Sequence, residues 1–335
     1  MGATIRDVAR AANVGLGTVS RVLNNSPLVS PATRQRVLNV IAELNYTPSQ
    51  IARNFASGKT LTVATIAPFF TRPSVVERLR GIELMLSASN YNLVVFNVET
   101  VERRDVCLRD VPRRDRTDGL LVISLSPRPQ EVAMLRQTGV PVVLIDTVAD
   151  GMAGVYVDDV AGGDLATCHL IELGHRRIGF VGDSLEEVQA FNFTSSRNRL
   201  RGYLQALERY GIVPNPAYQR HGIHGRYEAR VLARELLQLA EPPTAIVAAS
   251  DTQAMGVLEA ARDLGVEIPA SLSVVGYDDI DIAEYLGLTT VHQPLFDSGA
   301  RGVEILFAAL SGEPVAPAHE LLPIKLIPRA TTAAC

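Results

Sequence analysis

The sequence predicts an α/β protein: a small three-helix domain at the N-terminus, then a large domain of two lobes, each built on a doubly wound parallel sheet. Three observations carry this. Residues 1–60 repeat apolar side chains three and four apart, the period of short amphipathic helices. From Leu61 onward short apolar runs alternate with helical stretches, as expected of strands buried on both faces by crossover helices. That alternation occurs twice, through TVATIAP, YNLVVFNV, DGLLVIS and PVVLID and again through HRRIGFVGD, TAIVAAS and LSVVGYDD, so two sheets are expected.

A chain of 335 residues that is 47% hydrophobic and 20% charged can build sizeable cores, and disorder is not expected. No run approaches the ~18 to 20 apolar residues that cross a bilayer. The opening MGATIRDVARAANV lacks the basic-then-apolar pattern of a secretory signal, so a cytoplasmic, nucleoid-associated protein is expected. Cys107, Cys168 and Cys335 are odd in number and far apart, without metal-ligand spacing. No disulfide, metal or cofactor is expected. The net charge of −4 hides an asymmetry: residues 1–60 hold seven cations against Asp7 and Glu43, or +5, which leaves −9 for the rest. A basic head on an acidic body suits a polyanion at one end only.

Within the head, Thr4 and Asp7 form the outline of a capping box, and Ile5, Val8 and Ala9 give the first helix its apolar stripe, ending near Asn13. After a four-residue break, Val19, Val22 and Leu23 define a second helix. Ser30 and Pro31 read as N-cap and first position of a third, carried by Val37, Ile41 and Leu44. The spacing of the first two is that of a helix-turn-helix, whose second helix enters the major groove of DNA. With Val19, Val22 and Leu23 inward, Leu16, Gly17, Thr18, Ser20 and Arg21 face outward. Arg21 can bond bidentately to guanine, Leu16 can meet a thymine methyl, and Thr18 and Ser20 can reach phosphates.

The stretches TIRDVARAANVGLGTVSRVLNN and VSPATRQRVLNVIAELNYTPSQIARNFASGKT closely resemble the N-terminus of the lactose-repressor (LacI/GalR) family of bacterial regulators. The resemblance implies that Leu16, Gly17 and Arg21 read bases and that Thr18, Ser20 and Asn24 meet the backbone, with Thr4 and Arg34 as further DNA contacts. It also implies a hinge helix in PSQIARNFASGKT that pairs with its two-fold mate and wedges an apolar side chain into the minor groove. Phe55 holds the position where leucine is usual, and the small Ala52 permits close approach of the paired helices. Gly15 and Gly17 depart from the pattern, since side chains are usual there. They remove a base-reading group and weaken the helix start by roughly 1 kcal/mol per internal glycine.

The resemblance continues through VDDVAGGDLATCHLIELGHRRIGFVG, SSRNRLRGYLQAL, PTAIVAASDTQAMGVL, LSVVGYDDIDIA and TTVHQPL, and implies a periplasmic-binding-protein-like effector domain. The expected boundaries are 1–47 for the helix-turn-helix, 48–59 for the hinge helix and linker, and 60–335 for the effector and dimerisation domain. Its N-lobe is placed at about 60–157 and 292–320, its C-lobe at about 158–291 and 321–335.

Ligands of open α/β sheets bind beyond the carboxyl ends of strands, which points to 68–73, Asp146, Asp183, Ser250 with Asp251, and Asp278 with Asp279. The resemblance turns Arg199 and Asp278 into paired anchors of effector hydroxyl or carboxylate groups; Asp146, Asp251 and Gln293 are further contacts. Phe69, Phe70, Arg72, His224, Ser250 and Phe193 complete the expected effector set. Residues 185–196, longer than the resemblance implies, offer Phe191 and Phe193 as a stacking surface. Asp159 and Asp279 read as helix caps, and Gly174-His175-Arg176-Arg177 as a helix end.

The expected function is that of a homodimeric regulator, chiefly a repressor, on a palindromic double-stranded operator, released by a small-molecule effector, a sugar first. Corepression or activation, with a purine, nucleoside or phosphorylated effector, stays open. The tail ELLPIKLIPRATTAAC has no apolar heptads, so a coiled-coil tetramer is not expected. A solute-binding protein lacks support from any leader. An enzyme is not expected: no dinucleotide fingerprint, phosphate loop or nucleophile elbow stands in working context, Gly162-Gly163 being a weak echo.

Overall fold

The computed structural model describes residues 3–23, 26–46, 59–313 and 319–335. Asn24, Ala52, Phe55 and the expected hinge helix lie outside the described residues. The chain divides into two units, Met1–Thr60 and Leu61–Cys335.

In the first unit, α1 (Ile5–Ala11), α2 (Leu16–Leu23) and α3 (Pro31–Glu43) share one small core of Val8, Ala9, Ala12, Val19, Val22, Val37, Val40 and Tyr46. The Thr4 and Asp7 capping box is formed: the Thr4 backbone N–H donates to Asp7 Oδ2 at 3.0 Å. Asn13 bends the chain between α1 and α2 through a left-handed conformation, which asparagine tolerates. Ser30 caps α3, with Pro31 following it.

The second unit holds two six-stranded sheets. In the N-lobe, β1 (Thr62–Pro68), β2 (Asn92–Val98), β3 (Gly119–Ile123), β4 (Val142–Ile145) and β5 (Ala153–Tyr156) are all parallel. Helix α4 (Pro73–Ser87) packs on one face, and α5 (Val101–Asp110) and α6 (Pro129–Gln137) on the other. The chain then enters the C-lobe with α7 (Asp159–Glu172), β6 (Ile178–Asp183), α8 (Leu185–Phe191), α9 (Thr194–Arg209) and β7 (Gln219–Gly222). It continues through α10 (Arg226–Leu237), β8 (Ala245–Ala248), α11 (Asp251–Leu264), β9 (Ser273–Asp278), α12 (Asp281–Tyr285) and β10 (Thr289–His292). Helix α13 (Leu295–Leu310) returns to the N-lobe, β11 (His319–Leu321) joins the N-lobe sheet beside β5, and β12 (Lys325–Ile327) joins the C-lobe sheet antiparallel to β10.

The sheet orders are β11-β5-β4-β3-β1-β2 and β12-β10-β9-β8-β6-β7. Each therefore contains the doubly wound order 2-1-3-4-5, and the carboxyl ends of the central strands form the ligand-binding edge of such a sheet. Gly162 and Gly163 lie inside α7 and serve packing. A Cβ on Gly163 would collide with the Arg199 carbonyl of α9, and one on Gly162 with the Tyr277 ring. Among the described residues no helix is long and apolar enough to cross a membrane. The tail is built into the C-lobe, where the Thr331 hydroxyl donates to the Val274 carbonyl at 2.7 Å.

Candidate functional site

Two surfaces bring functional residues together, one on each unit. On α2, the inward turn of Val19 and Val22 leaves Leu16, Gly17 and Arg21 exposed, with Thr18 and Ser20 half-buried beside them. The Arg21 side chain has no hydrogen bond or ion pair among the described residues, so its five donors are available to an outside acceptor. Nothing lies within 4 Å of where a Cβ on Gly15 or Gly17 would stand, so neither glycine is required by packing. Two expected DNA contacts are otherwise engaged. Arg34 donates to the carbonyls of Val22 at 3.4 Å and Ser26 at 2.6 Å, which ties α3 to the end of α2. Thr4 spends its hydroxyl on Asp7, 2.6 Å away.

In the second unit, strands from both lobes end in a cleft. Five non-glycine residues at these ends, Phe69, Ser124, Asp146, Asp278 and Asp279, adopt left-handed backbone conformations. Such conformations cost energy, and proteins retain them where side chains must be aimed. Three of the five, Ser124, Asp146 and Asp278, belong to one chain of contacts across the cleft. Ser124 donates to Asp146 Oδ2 at 2.6 Å, and Asp146 Oδ1 takes Arg78 at 2.6 Å. Arg78 donates to Gln293 Oε1 at 3.1 Å; Gln293 Nε2 donates to Asp278 Oδ1 at 2.5 Å. Arg199 donates to Asp278 at 3.4 Å, to Asp159 at 2.8 Å and to the Ala249 carbonyl at 2.8 Å, while its guanidinium stacks 3.7 Å over Tyr277.

One guanidinium between two buried carboxylates cannot fully compensate both. Burial pushes the Asp159 carboxyl up to about 6 against the pull of Arg199, and burial raises Asp278 in the same direction. Asp183 goes the other way. Burial pushes its carboxyl up, but the His224 ring at 2.8 Å, the Ser196 hydroxyl and Arg72 outweigh it and hold the group below the usual carboxylate range. Arg78 Nε is buried with no acceptor among the described residues. Carboxylates and guanidiniums held at both walls can exchange their mutual bonds for those of a hydroxyl-rich ligand.

A strap joins the lobes beside the cleft. Helix α8 leaves the C-lobe after β6, yet its Val188 and Phe191, with Phe193, are buried in the N-lobe core against α5 and Phe69. The Phe191 and Phe193 rings stack at 5.2 Å and 4°. Asn192, itself left-handed, donates to the Ser126 carbonyl at 3.1 Å, and Arg128 donates to the Ala190 carbonyl at 2.9 Å. Arg128 is aimed by Glu131, which also holds the fully buried Arg104 at 2.6 Å.

Residues 4–49 match the model of the bacterial regulatory proteins of the lacI family, and residues 167–332 that of the periplasmic binding protein-like domain. The chain is 33% identical to the catabolite control protein A of Priestia megaterium, over 99% of its own length and 100% of that protein. It is 35% identical to the ribose operon repressor of Escherichia coli (strain K12), over 91% of its own length and 92% of that protein. The chain belongs to the lacI family of bacterial regulatory proteins. It is thereby a DNA-binding regulator of transcription. In fold it matches the lac repressor dimer bound to operator and the anti-inducer ONPF, with a TM-score of 0.82 and 28% identity over 100% of both chains.

For this lacI-family chain the cleft brings together Arg72, Asp146, Phe193, Arg199, His224, Ser250, Asp278 and Gln293 from the expected effector set. Three expected members stand apart. Asp251 is fully buried inside the C-lobe, its carboxylate taken by the Thr290 hydroxyl at 2.6 Å and the Ile280 backbone N–H at 3.0 Å. Phe70 points to solvent on the N-lobe, and Phe69 packs on the N-lobe core under Arg72. Asp159 is not the cap of α7, a role filled by Asp158; it pairs with Arg199 instead. Asp279 holds His292 and Arg329. Sequence reasoning missed Arg78 entirely. Its signal was a cation on the apolar stripe Val75, Arg78, Ile82, where a solvated helix would carry its charge on the opposite face.

Proposed function

We propose that this regulator binds a palindromic operator in the cytoplasm as a homodimer, through α2, and is released when a sugar or similar polyol enters the cleft. The observation that carries the reading is the bond chain Arg78, Gln293, Asp278, Arg199, which links the two lobes through groups that a polyhydroxylated ligand can replace one for one. The space left in the cleft is about 60 Å³, well under the ~300 to 1,000 Å³ of small-molecule sites. A ligand must therefore part the lobes or select a state in which they are parted, which supports a switch by population shift. The name of the ribose operon repressor supports a sugar.

A dimer is supported by the N-lobe surface. Edge strand β2 exposes Val95 beside Phe70, Val76 and Leu84, an apolar patch of the kind that marks interaction sites. Binding rather than catalysis is supported by the cleft chemistry, whose acids are each occupied by an arginine, histidine or amide partner.

The reading is tested by incubating the full-length protein with fragments of its source genome, recovering the bound DNA, and challenging the complex with a panel of sugars. A palindromic fragment released by one sugar class is the expected result. A bound fragment that no panel member releases, with no panel member changing the protein's thermal midpoint, overturns the effector assignment.

A further inference from the structure

The basic side chains of the cleft are unequally partnered. Arg78 is held by Asp146 and Gln293, Arg199 by Asp159 and Asp278, and the His224 ring by Asp183. Arg72 is different. It stands at the N-cap of α4 and lies over Phe69, with its guanidinium carbon 4.0 Å from the ring centroid. Among the described residues its side chain makes no hydrogen bond and no ion pair, although it lines the cleft and is partly buried.

Two carboxylates, those of Asp183 and Glu187, act on Arg72 without reaching ion-pair distance. Asp183 is already committed to the His224 ring, the Ser196 hydroxyl and Gln253 of α11, which donates to it at 3.1 Å. Burial lowers the Arg72 pKa, as expected of a cation losing water without gaining an acceptor. An arginine nonetheless stays charged, so the N-lobe wall presents a partly dehydrated cation with open donors. The Phe69 ring supports one side of the guanidinium, whose fork of donors suits a two-oxygen anion. The first turn of α4, whose Ser74 also lines the cleft, adds the positive end of a helix dipole on the same side.

We infer that the effector is an acidic polyol, a sugar derivative bearing one carboxylate or phosphate, whose anionic group is gripped by Arg72 on the N-lobe wall. Its hydroxyls meet Asp278, Arg199 and Gln293. This rests on the reading of the cleft as the effector site. Phe69 then matters as the shelf under Arg72, not as a stacking surface for the ligand.

The test is calorimetric titration of the full-length protein with matched sets on several carbon skeletons: the aldose, its aldonate, its uronate and its sugar phosphate. Wild type, Arg72→Met, Arg72→Lys and Asp278→Asn are run in parallel. In the skeleton that binds, an acidic member is expected to bind about tenfold or more tighter than the neutral aldose. Arg72→Met should collapse that ratio toward one, and Arg72→Lys should keep part of it. The preferred acid tells carboxylate from phosphate. If the neutral aldose binds as well as its acids, or the ratio survives Arg72→Met, the anion assignment is overturned while the cleft stands. If Asp278→Asn binds every member as wild type does, or no member binds wild type, the cleft reading falls with it.

Discussion

Gln293 Nε2 stands 2.5 Å from Asp278 Oδ1 while the carbonyl of the same amide accepts from Arg78 at 3.1 Å, so one side chain at the crossover from β10 to α13 holds both lobes. Asp278 is the C-lobe end of that tie. Replacing Asp278 by alanine strips Gln293 of its acceptor and Arg199 of one of two carboxylates. Effector binding should become undetectable by calorimetry, at a stability cost of about 1 to 3 kcal/mol for the unmatched buried donors. Operator binding without effector should persist, because α2 belongs to the other unit.

The strap α8 gives a second expectation. Phe191→Ala removes a buried ring shared with Phe193 and Phe69, which should cost about 3 to 5 kcal/mol in a denaturant titration. Asn192→Gly separates tethering from packing. It keeps the left-handed backbone and deletes only the bond to Ser126, so stability should change by about 1 kcal/mol or less while effector association becomes faster. Stopped-flow fluorescence with the identified effector reads this, and an unchanged association rate would show that the strap does not restrain the lobes.

Much of this arrangement was legible in the sequence, and the residues that were not share a physical reason. The three helices of the head, the two sheets and the strand-end aspartates followed from apolar period and topology. Arg78 did not, because a cation in a helix reads as solvated until its neighbours are known; it proves to be inward, on Asp146. Asp251 was misplaced because a strand-end acid can turn into its own lobe as easily as toward the cleft. The docking of α8 on the opposite lobe is a long-range contact with no local signal beyond extra length.

Arg34, expected to meet DNA, also donates to the carbonyls of Val22 and Ser26. Arg34→Ala should loosen the end of α2, lowering the stability of the first unit by about 1 kcal/mol and weakening binding to all DNA sequences alike. Gly17→Ala runs oppositely. With open space around it and no positive φ, it should stabilise the same unit by up to about 1 kcal/mol, read as a higher thermal midpoint of its transition.

His175 provides a pH test. Its ring is buried between the Thr244 and Ser273 hydroxyls and the Ala333 carbonyl, and burial lowers its pKa below 6.5. The unfolded chain therefore takes up this proton first, and stability is lost as pH falls through about 6.5. His175→Gln should be less stable than wild type at pH 8, with a shallower decline of unfolding free energy between pH 7 and 5. A parallel decline in both proteins would show that this ring is not the source.

The most direct test is a salt series on the recovered operator fragment, with wild type and Arg21→Ala titrated side by side against it and against unrelated DNA. Wild type should prefer the operator at every salt concentration, with affinity falling linearly on logarithmic axes as salt rises. Arg21→Ala should lose about 1 to 3 kcal/mol of that preference while keeping its affinity for unrelated DNA within a few-fold. Equal preference in the two proteins, or no fragment preferred at any salt concentration, would contradict the assignment of α2 as the helix that reads DNA.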